Sequence, residues 1–574
     1  MILTDRLGAI FDKVIFYGLI FLVVFTPFAT VSTMPFSFDM PWSLAVTALI
    51  VLFLVALWLI RDVCQGTLKF ASTPLSPPLI AFVTLVLFQL LPLPPKILQF
   101  ISPSSVSAYK MTGNENLEDI SKILWTNNTH ANKQNVQSFH FLPTAIPLQM
   151  GNEKDEEQEK STDATESPLN TLYKRWHPIT LYKYASEVEL FRLLIYIGVY
   201  LLIVNNIKSR QQIRQIVITI IITGISIAFL GLLQYLSGSG KIFWLYDIKR
   251  TNFFGTFSNQ DHFACYMAMI IPLVMGLLIT EYLQYARINP KLEIRYPKLN
   301  VNHRIFFYVF AIVIMLASLF LARSIGGAFA MMTSLFLLIG IMLCRKRLRK
   351  MSWFVVPILI ITFGMLVWIG IHPVVEKLST AVDIENRSLQ ARIEFWKDTI
   401  SAIKHFPVFG SGIGVFPFIY TQYSTLTYFA FVNHAHNDYL ELMLETGFIG
   451  FSIILWALYC FIKDNALYHI LGITKGINHE RFITNRMKYF NFFGMKNVTN
   501  NNQSINQKSA LKIYDSLKKR KDPFIIGIAI GGILGVMSIC LHCIVDFNFH
   551  VPANAFLLSV LLGITTVTVH MKHV

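Results

Sequence analysis

Charged residues and cysteines are scarce in this sequence. Only 14% of its 574 residues are charged, whereas 54% are hydrophobic, and the mean hydropathy is +0.52. Soluble globular domains carry about 25% charged residues. The composition therefore excludes a soluble protein and indicates a chain that is embedded in a membrane.

The six cysteines do not form the clusters of a disulfide framework or a zinc site. Cys540 and Cys543 have redox or metal spacing, but they lie inside an apolar run. Two small packing residues one turn apart are the simpler interpretation there. The N-terminal segment also lacks a small-residue cleavage site, so we interpret it as a retained first span.

Long apolar runs recur throughout the chain. Crossing ~30 Å of hydrocarbon takes about 20 helical residues, and about twelve segments reach that length. The predicted fold class is an all-α integral membrane protein of about twelve transmembrane helices. The predicted spans are residues 14–32, 43–60, 78–97, 188–204, 213–236, 263–281, 304–322, 325–344, 352–372, 437–462, 524–544 and 553–570.

The net charge of +16 is distributed in a way that indicates topology. If twelve spans alternate, every basic cluster falls on one side, as the positive-inside rule requires. Both termini are then cytoplasmic, and the charge indicates contact with anionic lipid head groups more than with nucleic acid. The clusters are Lys208, Arg210 and Arg214; Arg287, Lys291, Arg295, Lys298 and Arg304; residues 345–350; and residues 518–521.

The loops between these spans differ in character. The outer loop 98–187 contains the acidic tract GNEKDEEQEKSTDATESP (151–168), so we predict that it is partly disordered. The outer loop 373–436 contains aromatics, glycines and a predicted helix. The remaining segments are residues 1–97 with spans one to three, 188–372 with spans four to nine, 437–462 with span ten, the basic cytoplasmic loop 463–523, and 524–574 with spans eleven and twelve.

The segment HAHNDYLELMLETGFIG (434–450) places proton-handling groups where the tenth span begins. Asn437, Glu441 and Glu445 are spaced i, i+4 and i+8, so on a helix they share one face. A charge near the bilayer centre costs about 2.5–3.5 kcal/mol on insertion scales, so these carboxylates are expected to face protein or water. A structural polar seam is an open alternative for the glutamates, and an ordinary interfacial position is one for His434 and His436.

Three other stretches bring polar residues to the same predicted outer face. Each alone is compatible with ordinary interfacial residues, so the prediction of a site depends on their convergence with the 434–450 segment. The residues are Arg323 between spans seven and eight; Arg250, Asn259, Asp261 and His262 before span six; and Asp546 and His550 before span twelve.

The 434–450 segment resembles a signature of the bacterial O-antigen ligases. Residues 436–450 fit the pattern H-[NSQ]-x9-G-x-x-G. Residues 391–416 look like the family's R-x3-W helix followed by a P-x-x-G-x-G turn, which places Arg392 and Trp396 in the helix positions. The wider superfamily includes O-antigen polymerases and protein-glycosylating ligases. The glycines of this turn also imitate a nucleotide-binding loop, but no strand precedes them, so nucleotide binding is not predicted.

Three other segments extend the resemblance to roughly residues 185–570. LARSIGGAFA (321–330) resembles the Arg/Ser-Gly-Gly segment, although Arg323 precedes Ser324 where the common order is Ser then Arg. GTFSNQDHFACYMAMIIP (255–272) is similar to the family's G-T-F-x-N-x-N-x-x-A opening of a span, with Asp261 in place of the usual Asn. HCIVDFNFHVPANA (542–555) resembles a terminal segment of many polymerase-like members.

The resemblance implies a glycosyltransferase of the GT-C class that uses an undecaprenyl-diphosphate-linked glycan. The glycan would pass to a hydroxyl of lipid A–core, a lipid-linked repeat or a protein at the periplasmic face of a bacterial inner membrane, in surface polysaccharide or lipopolysaccharide biosynthesis. His436 holds the family's motif position, and an imidazole, which titrates at about pH 6.5, suits a general base. Arginine forks match phosphate oxygens, so Arg392 and Arg323 are the predicted diphosphate clamp.

A second set of residues is predicted to bind substrate or to support the site. The transfer is expected to invert the anomeric centre and to require neither a metal nor a cofactor, because two arginines can neutralise the diphosphate. Arg250 is a weaker third candidate for the clamp. The supporting set is His434, Asn437, Glu441, Glu445, Trp396, Arg250, Asn259, Asp546 and His550.

A transporter or flippase for lipid-linked glycans is the strongest alternative, because about twelve spans with both termini inside suit it too. However, the first inside loop, RDVCQGTLKFASTP (61–74), lacks the Asp-Arg-x-Gly-Arg turn of major-facilitator transporters. The ionisable residues also gather at the outer interface and not at the midplane. Within the enzyme class, a ligase, a polymerase and a protein transferase all stay open, and a noncatalytic assembly partner is a further alternative.

Overall fold

The computed structural model describes residues 2–29, 42–66, 70–111, 176–247, 253–288, 303–344, 384–425, 432–465 and 522–570, with short pieces between 348 and 368. The chain divides into two compact units. The first unit comprises Met1–Ser76, Ile195–Ala381 and Ala457–Val574, and the second comprises Pro77–Leu194 and Val382–Trp456.

The described residues are predominantly helical. A two-residue hairpin, β1 (Lys241–Ile242) with β2 (Tyr246–Asp247), and a 3-10 turn, Asn548–His550, accompany the helices. The helices in chain order are α1 (Ile2–Phe28), α2 (Trp42–Cys64), α3 (Ser76–Leu90), α4 (Pro95–Ile101), α5 (Pro103–Met111), α6 (Lys183–Asn206), α7 (Arg210–Ser237), α8 (Gln260–Ile288), α9 (His303–Leu321), α10 (Ile325–Cys344), α11 (Ile384–Ile403), α12 (Phe416–Tyr423), α13 (Asp438–Ile462), α14 (Pro523–His542) and α15 (Pro552–His570).

Nine helices of the described chain are long and apolar enough to cross a membrane. They are α1, α2, α7, α8, α9, α10, α13, α14 and α15. The prediction of an all-α membrane protein is therefore confirmed. The count of twelve spans stays a prediction, because α3 is shorter, α6 is not among the nine, and residues 352–372 are only partly described.

The predicted third span, residues 78–97, does not form one helix. α3 ends at Leu90 and α4 begins at Pro95. The intervening segment contains Pro92 and Pro94, and a proline removes a backbone donor and clashes with the preceding helical turn. The apolar run is therefore divided into a 15-residue helix and a short helix that follows it.

The core of the first unit is built around α8, of which 94% of the apolar window is buried. Small residues let α14 approach it closely. Gly527, Gly531 and Gly535 recur every four residues on α14, and each lies against the backbone of α8. A Cβ on Gly531 would come within 2.8 Å of the Pro272 carbonyl oxygen. Small residues spaced in this way are a common means of packing helices in lipid.

The second unit has its own apolar core. Side chains of α11, α12 and the first turns of α13 pack together, and the last residues before α13 join them. The fully or nearly fully buried members include Ala402, Phe416, Ile419, Ala435 and Leu444. This core fixes the segment 432–437 against α11 and α12, which is where the histidine motif begins.

Candidate functional site

The motif helix α13 is broken at Gly447. This residue has φ 63° and ψ −170°, a conformation that is essentially restricted to glycine. A break inside a membrane helix removes intrahelical partners from nearby carbonyl groups, and such groups must be satisfied within the protein. The residues that satisfy them come from the P-x-x-G-x-G turn, residues 407–412.

This turn forms hydrogen bonds with the last carbonyl groups before the break. The backbone N–H of Ser411 donates to the Leu444 oxygen at 2.9 Å, and that of Gly412 donates to the Glu445 oxygen at 3.0 Å. Gly410, with φ 74°, lies so close to Glu445 that a Cβ would collide with its backbone. The glycines of the turn thus allow two backbones to meet, which is a structural role and not that of a nucleotide loop.

Gln89, near the end of α3, completes this arrangement. Its fully buried side-chain amide donates to the Phe409 oxygen at 2.6 Å and to the Glu445 oxygen at 2.8 Å. Its Oε1 accepts from the backbone N–H of Ile413 at 3.3 Å. One glutamine therefore joins α3, the 407–412 turn and the break in α13.

His436 lies at the head of α13, half-buried, with φ 50°. The indole Nε1 of Trp396 donates to the His436 carbonyl oxygen at 3.3 Å. The Phe395 ring lies parallel to the imidazole within 20°, with centroids 6.1 Å apart. Arg392 is one helical turn before Trp396 on α11, so both share the face of that helix that meets the motif.

His434 is paired with Glu441. The imidazole Nδ1 is 2.8 Å from Oε1 of Glu441, whose other carboxylate oxygen accepts from the backbone N–H of Ala435 at 2.9 Å. Glu441 is only 1% exposed. This carboxylate therefore holds the 434–436 segment in place and is positioned to stabilise a charged His434.

Asn437 and Glu445 bind backbone groups. The Asn437 side-chain oxygen accepts from the N–H groups of Tyr439 and Leu440 at 3.0 and 3.1 Å, so it caps the N-terminus of α13. The Glu445 carboxylate accepts from the N–H of Phe416 at 3.0 Å, at the start of α12. Both side chains therefore bind backbone N–H groups of their own unit.

Asp398 on α11 is a further buried carboxylate of this unit. It accepts from the Tyr420 hydroxyl at 3.1 Å and from the backbone N–H of Thr425 at 3.0 Å. Burial, to which the Asp398 charge adds, raises the pKa of Tyr420 above its ordinary value, so the phenol keeps its proton and donates it. Asp398 thereby fixes the end of α12 to α11.

In the first unit, Arg323 lies directly before α10. The Ser324 hydroxyl accepts from the N–H of Gly327 at 3.0 Å, which caps α10, and donates to Asp261 Oδ1 at 2.6 Å. Arg323 itself is exposed, has φ 52°, and places its guanidinium carbon 5.6 Å from the centre of the Trp368 ring. The order Arg then Ser thus makes the serine the cap, and the carboxylate of Asp261 is its acceptor.

The other predicted residues of the first unit lie around the start of α8. Asn259 caps that helix, since its side-chain oxygen accepts from the N–H of Asp261 at 2.8 Å. Asp546 lies 3.5 Å from His262 Nδ1, and His550 ends the 3-10 turn that follows. Arg250 lies outside the described residues.

The predicted residues thus fall into two groups. The second unit brings together Arg392, Trp396, His434, His436, Asn437, Glu441 and Glu445, and the first unit holds Arg323, Asn259, Asp546 and His550. Within the second unit, His434 and Glu441 each offer a ligand atom that a cation can accept.

Three polar residues of these groups were not predicted as site residues: Gln89, Asp398 and Asn548. Asn548 accepts from the Asn554 amide at 3.0 Å and faces His262 Nδ1 at 3.2 Å. For Gln89, the presence of an amide within the apolar run VTLVLFQLL (83–91) could have indicated a buried polar contact. For the others, the partners are too far apart in sequence for a pattern to connect them.

The fold and this site define a polytopic α-helical membrane protein with a broken helix behind a histidine motif. Residues 310–455 match the family described as O-antigen ligase, and this match supports the resemblance of the chain to the O-antigen ligase superfamily. A Haemophilus influenzae protein described as uncharacterized is 32% identical over 120 residues, which are 18% of this chain and 29% of that protein. The chain thus spans less than a third of the length of that curated relative.

Proposed function

We propose that the protein transfers a glycan from an undecaprenyl-diphosphate carrier to an acceptor hydroxyl at the periplasmic face of the inner membrane. The family match supports a role as a ligase or polymerase of surface polysaccharide. The observation that carries the assignment of residues is the contact of α11 with the motif, where Trp396 binds the His436 backbone and Arg392 precedes it by one turn.

In the proposed reaction, the acceptor hydroxyl attacks the anomeric carbon opposite the diphosphate. The new bond joins the acceptor oxygen to that carbon, while the bond from carbon to diphosphate oxygen breaks. His436 takes the proton of the hydroxyl, and undecaprenyl diphosphate leaves with the bonding electrons. The product has the inverted configuration at the anomeric carbon.

The guanidinium groups of Arg392 and Arg323 are proposed to neutralise the leaving diphosphate. Arginine stays charged at any relevant pH and forms paired hydrogen bonds with phosphate oxygens. No metal is required for this, so activity is expected to survive EDTA. Activity that is lost in EDTA and restored by Mg²⁺ or Mn²⁺ would instead direct attention to His434 and Glu441.

The supporting residues are proposed to hold this geometry. Glu441 and Asn437 fix the backbone around His436, and Glu445 fixes α12 against α13. The acceptor is lipid A–core, a lipid-linked repeat or a protein hydroxyl. A transporter of lipid-linked glycans is the alternative, which would need the carrier to bind but no proton acceptor at position 436.

Deletion of the gene followed by a gel of surface polysaccharide tests the function. A single capped repeat on lipid A–core indicates a polymerase, bare core with accumulated lipid-linked polymer indicates a ligase, and an unglycosylated protein indicates a protein transferase. Unchanged polysaccharide and glycoprotein in the deletion strain would contradict the enzyme assignment.

Complementation then tests the residues. His436→Asn retains a residue type that tolerates positive φ but removes the base, and we expect activity to fall about 10²–10⁴-fold. Arg392→Lys keeps the charge but removes the fork, and should also lose transfer. His405→Asn and Lys397→Gln, on or beside the same helix, are the matched controls and should complement fully. Wild-type glycan from the first two variants at normal protein levels would refute the mechanism.

A further inference from the structure

A polar cavity lies within the first unit, away from the site residues described above. Its volume is 250 Å³, and its lining comes from α7, α8, α9 and α14. Arg210 and Arg214 line it from α7, Glu281 and Gln284 from α8, and Tyr308 from α9. The sequence places this end among the basic clusters that predict the cytoplasmic side.

The charges around the cavity are not balanced. Arg210 is fully paired, since its two terminal nitrogens lie 3.2 and 3.0 Å from the two carboxylate oxygens of Asp522. Glu281, by contrast, is shared: its Oε1 is 3.7 Å from Arg214 Nη2 and 3.6 Å from Arg304 Nη1. Both distances exceed those of a normal hydrogen bond, so one carboxylate stands between two guanidinium groups without engaging the fork of either.

The backbone adds to this positive potential. α7, α9 and α14 begin at this end, with Ser209 and Asp522 as the caps of the first and last. Helix N-termini carry partial positive charge and favour anions. The side chains of Arg214 and Arg304 are also 40% and 42% exposed, so a ligand can reach them from the membrane surface.

We propose that this cavity binds the phosphate of an anionic phospholipid head group in the cytoplasmic leaflet. The phosphate oxygens accept from the fork of Arg214, which lines the cavity, and from that of Arg304, which lies beside the lining residue Glu281. The Gln284 amide and Tyr308 hydroxyl line the remaining volume. Basic pockets between membrane helices on the cytoplasmic side are suited to such head groups. Glu281 neutralises part of this positive charge and thereby limits the affinity for an anion.

The binding of dioctanoyl-phosphatidylglycerol to the purified full-length protein tests this proposal, with dioctanoyl-phosphatidylcholine as the zwitterionic comparison and native mass spectrometry as the readout. Replacing Arg214 and Arg304 together by Gln should weaken binding of the phosphatidylglycerol about 25-fold, at about fivefold for each charge. Glu281→Gln should strengthen it about fivefold. Lys208→Gln, a basic residue at the same helix ends that pairs with Asp12 and not with Glu281, should leave it unchanged.

The Glu281→Gln variant keeps the proposal testable if the double variant fails to fold. A purely structural ion-pair network predicts that Glu281→Gln lowers Tm and does not increase lipid binding, and that result would overturn the proposal. Equal binding of both lipids by the wild type would do so as well. Displacement of the lipid by 10 mM inorganic phosphate would assign the site to soluble phosphate and overturn the lipid assignment.

Discussion

Two of the four described non-glycine residues with positive φ are residues that the sequence predicted to be functional. Arg323 and His436 both have positive φ, and the other described non-glycine residues in that region, Phe243 and Trp244, form the tight turn of the β1–β2 hairpin. Such a conformation costs on the order of 1–3 kcal/mol and persists where the surroundings impose it. The strain supports a functional interpretation of both positions, which the motif alone could only suggest.

The chemical types of the site residues could be read from the sequence, but their partners could not. The i, i+4, i+8 spacing placed Asn437, Glu441 and Glu445 on one face, yet each carboxylate binds a different part of the chain. Periodicity gives the direction of a side chain, whereas its hydrogen-bond partner depends on tertiary packing. The expectation that these carboxylates face protein or water agrees with their exposed fractions, which are only 1% for Glu441 and 3% for Glu445.

Glu441→Gln tests the anchoring of the histidine segment. The amide keeps the shape but removes the charge that His434 and the Ala435 N–H bind, so we expect unfolding to become easier by about 1.5–3 kcal/mol. Glu394→Gln, at an exposed position on α11, is the control and should change stability by less than about 0.5 kcal/mol. Thermal unfolding in detergent measures both. Equal Tm values for the two variants would show that Glu441 does not anchor the segment.

At the scale of elements, the broken helix α13 explains why two distant motifs occur together. The first glycine of the G-x-x-G pattern breaks the helix, and the backbone N–H groups of the P-x-x-G-x-G turn donate to the carbonyl groups just before the break. The sequence predicted one continuous span over 437–462, because hydropathy does not register a single change of backbone direction. It also predicted one span over 78–97, where prolines divide the chain instead.

Gln89→Leu tests the dependence of this break on α3. The substitution leaves the carbonyl groups of Phe409 and Glu445 without their buried donor, and each such group costs about 1–3 kcal/mol. We expect loss of stable protein and of glycan transfer together. Gln99→Leu, on the exposed side of α4, makes the same chemical change without buried partners and should be silent. Normal accumulation of the Gln89 variant would contradict this account.

At the scale of the whole molecule, the described helices differ in how much of each apolar segment is buried by the rest of the protein. The apolar window of α8 is 94% buried, and those of α14 and α15 are 78% buried, while those of α1, α2 and α9 are 33–39% buried. Hydropathy cannot separate these classes, because a helix in lipid and a helix in protein are equally apolar. The glycine repeat of α14 is the sequence feature that distinguishes a central helix here.

Gly531→Ala tests the close packing of α14 on α8. The added methyl would lie 2.8 Å from backbone atoms of Pro272 and Leu273, so the helices must separate, at a cost of about 1–3 kcal/mol. Gly340→Ala on α10 adds the same methyl where nothing lies within 4 Å. We expect a lower Tm for the first variant and an unchanged or slightly higher one for the second.

Topology decides whether the histidine motif can act on a periplasmic substrate. The positive-inside rule predicts that Lys208 lies in the cytoplasm, and the predicted odd number of spans before the motif then predicts that the segment ahead of His436 lies outside. Cys64 and Cys344 are exposed at the ends of α2 and α10, which the same rule predicts to lie inside.

In a cysteine-free background, a single cysteine at Thr425 should react with a membrane-impermeant maleimide in intact spheroplasts. Single cysteines at positions 64, 208 and 344 should react only after lysis. Because the proposed donor carries its diphosphate at the outer interface, labelling of position 425 only after lysis would place the base on the wrong side of the membrane and exclude the proposed transfer.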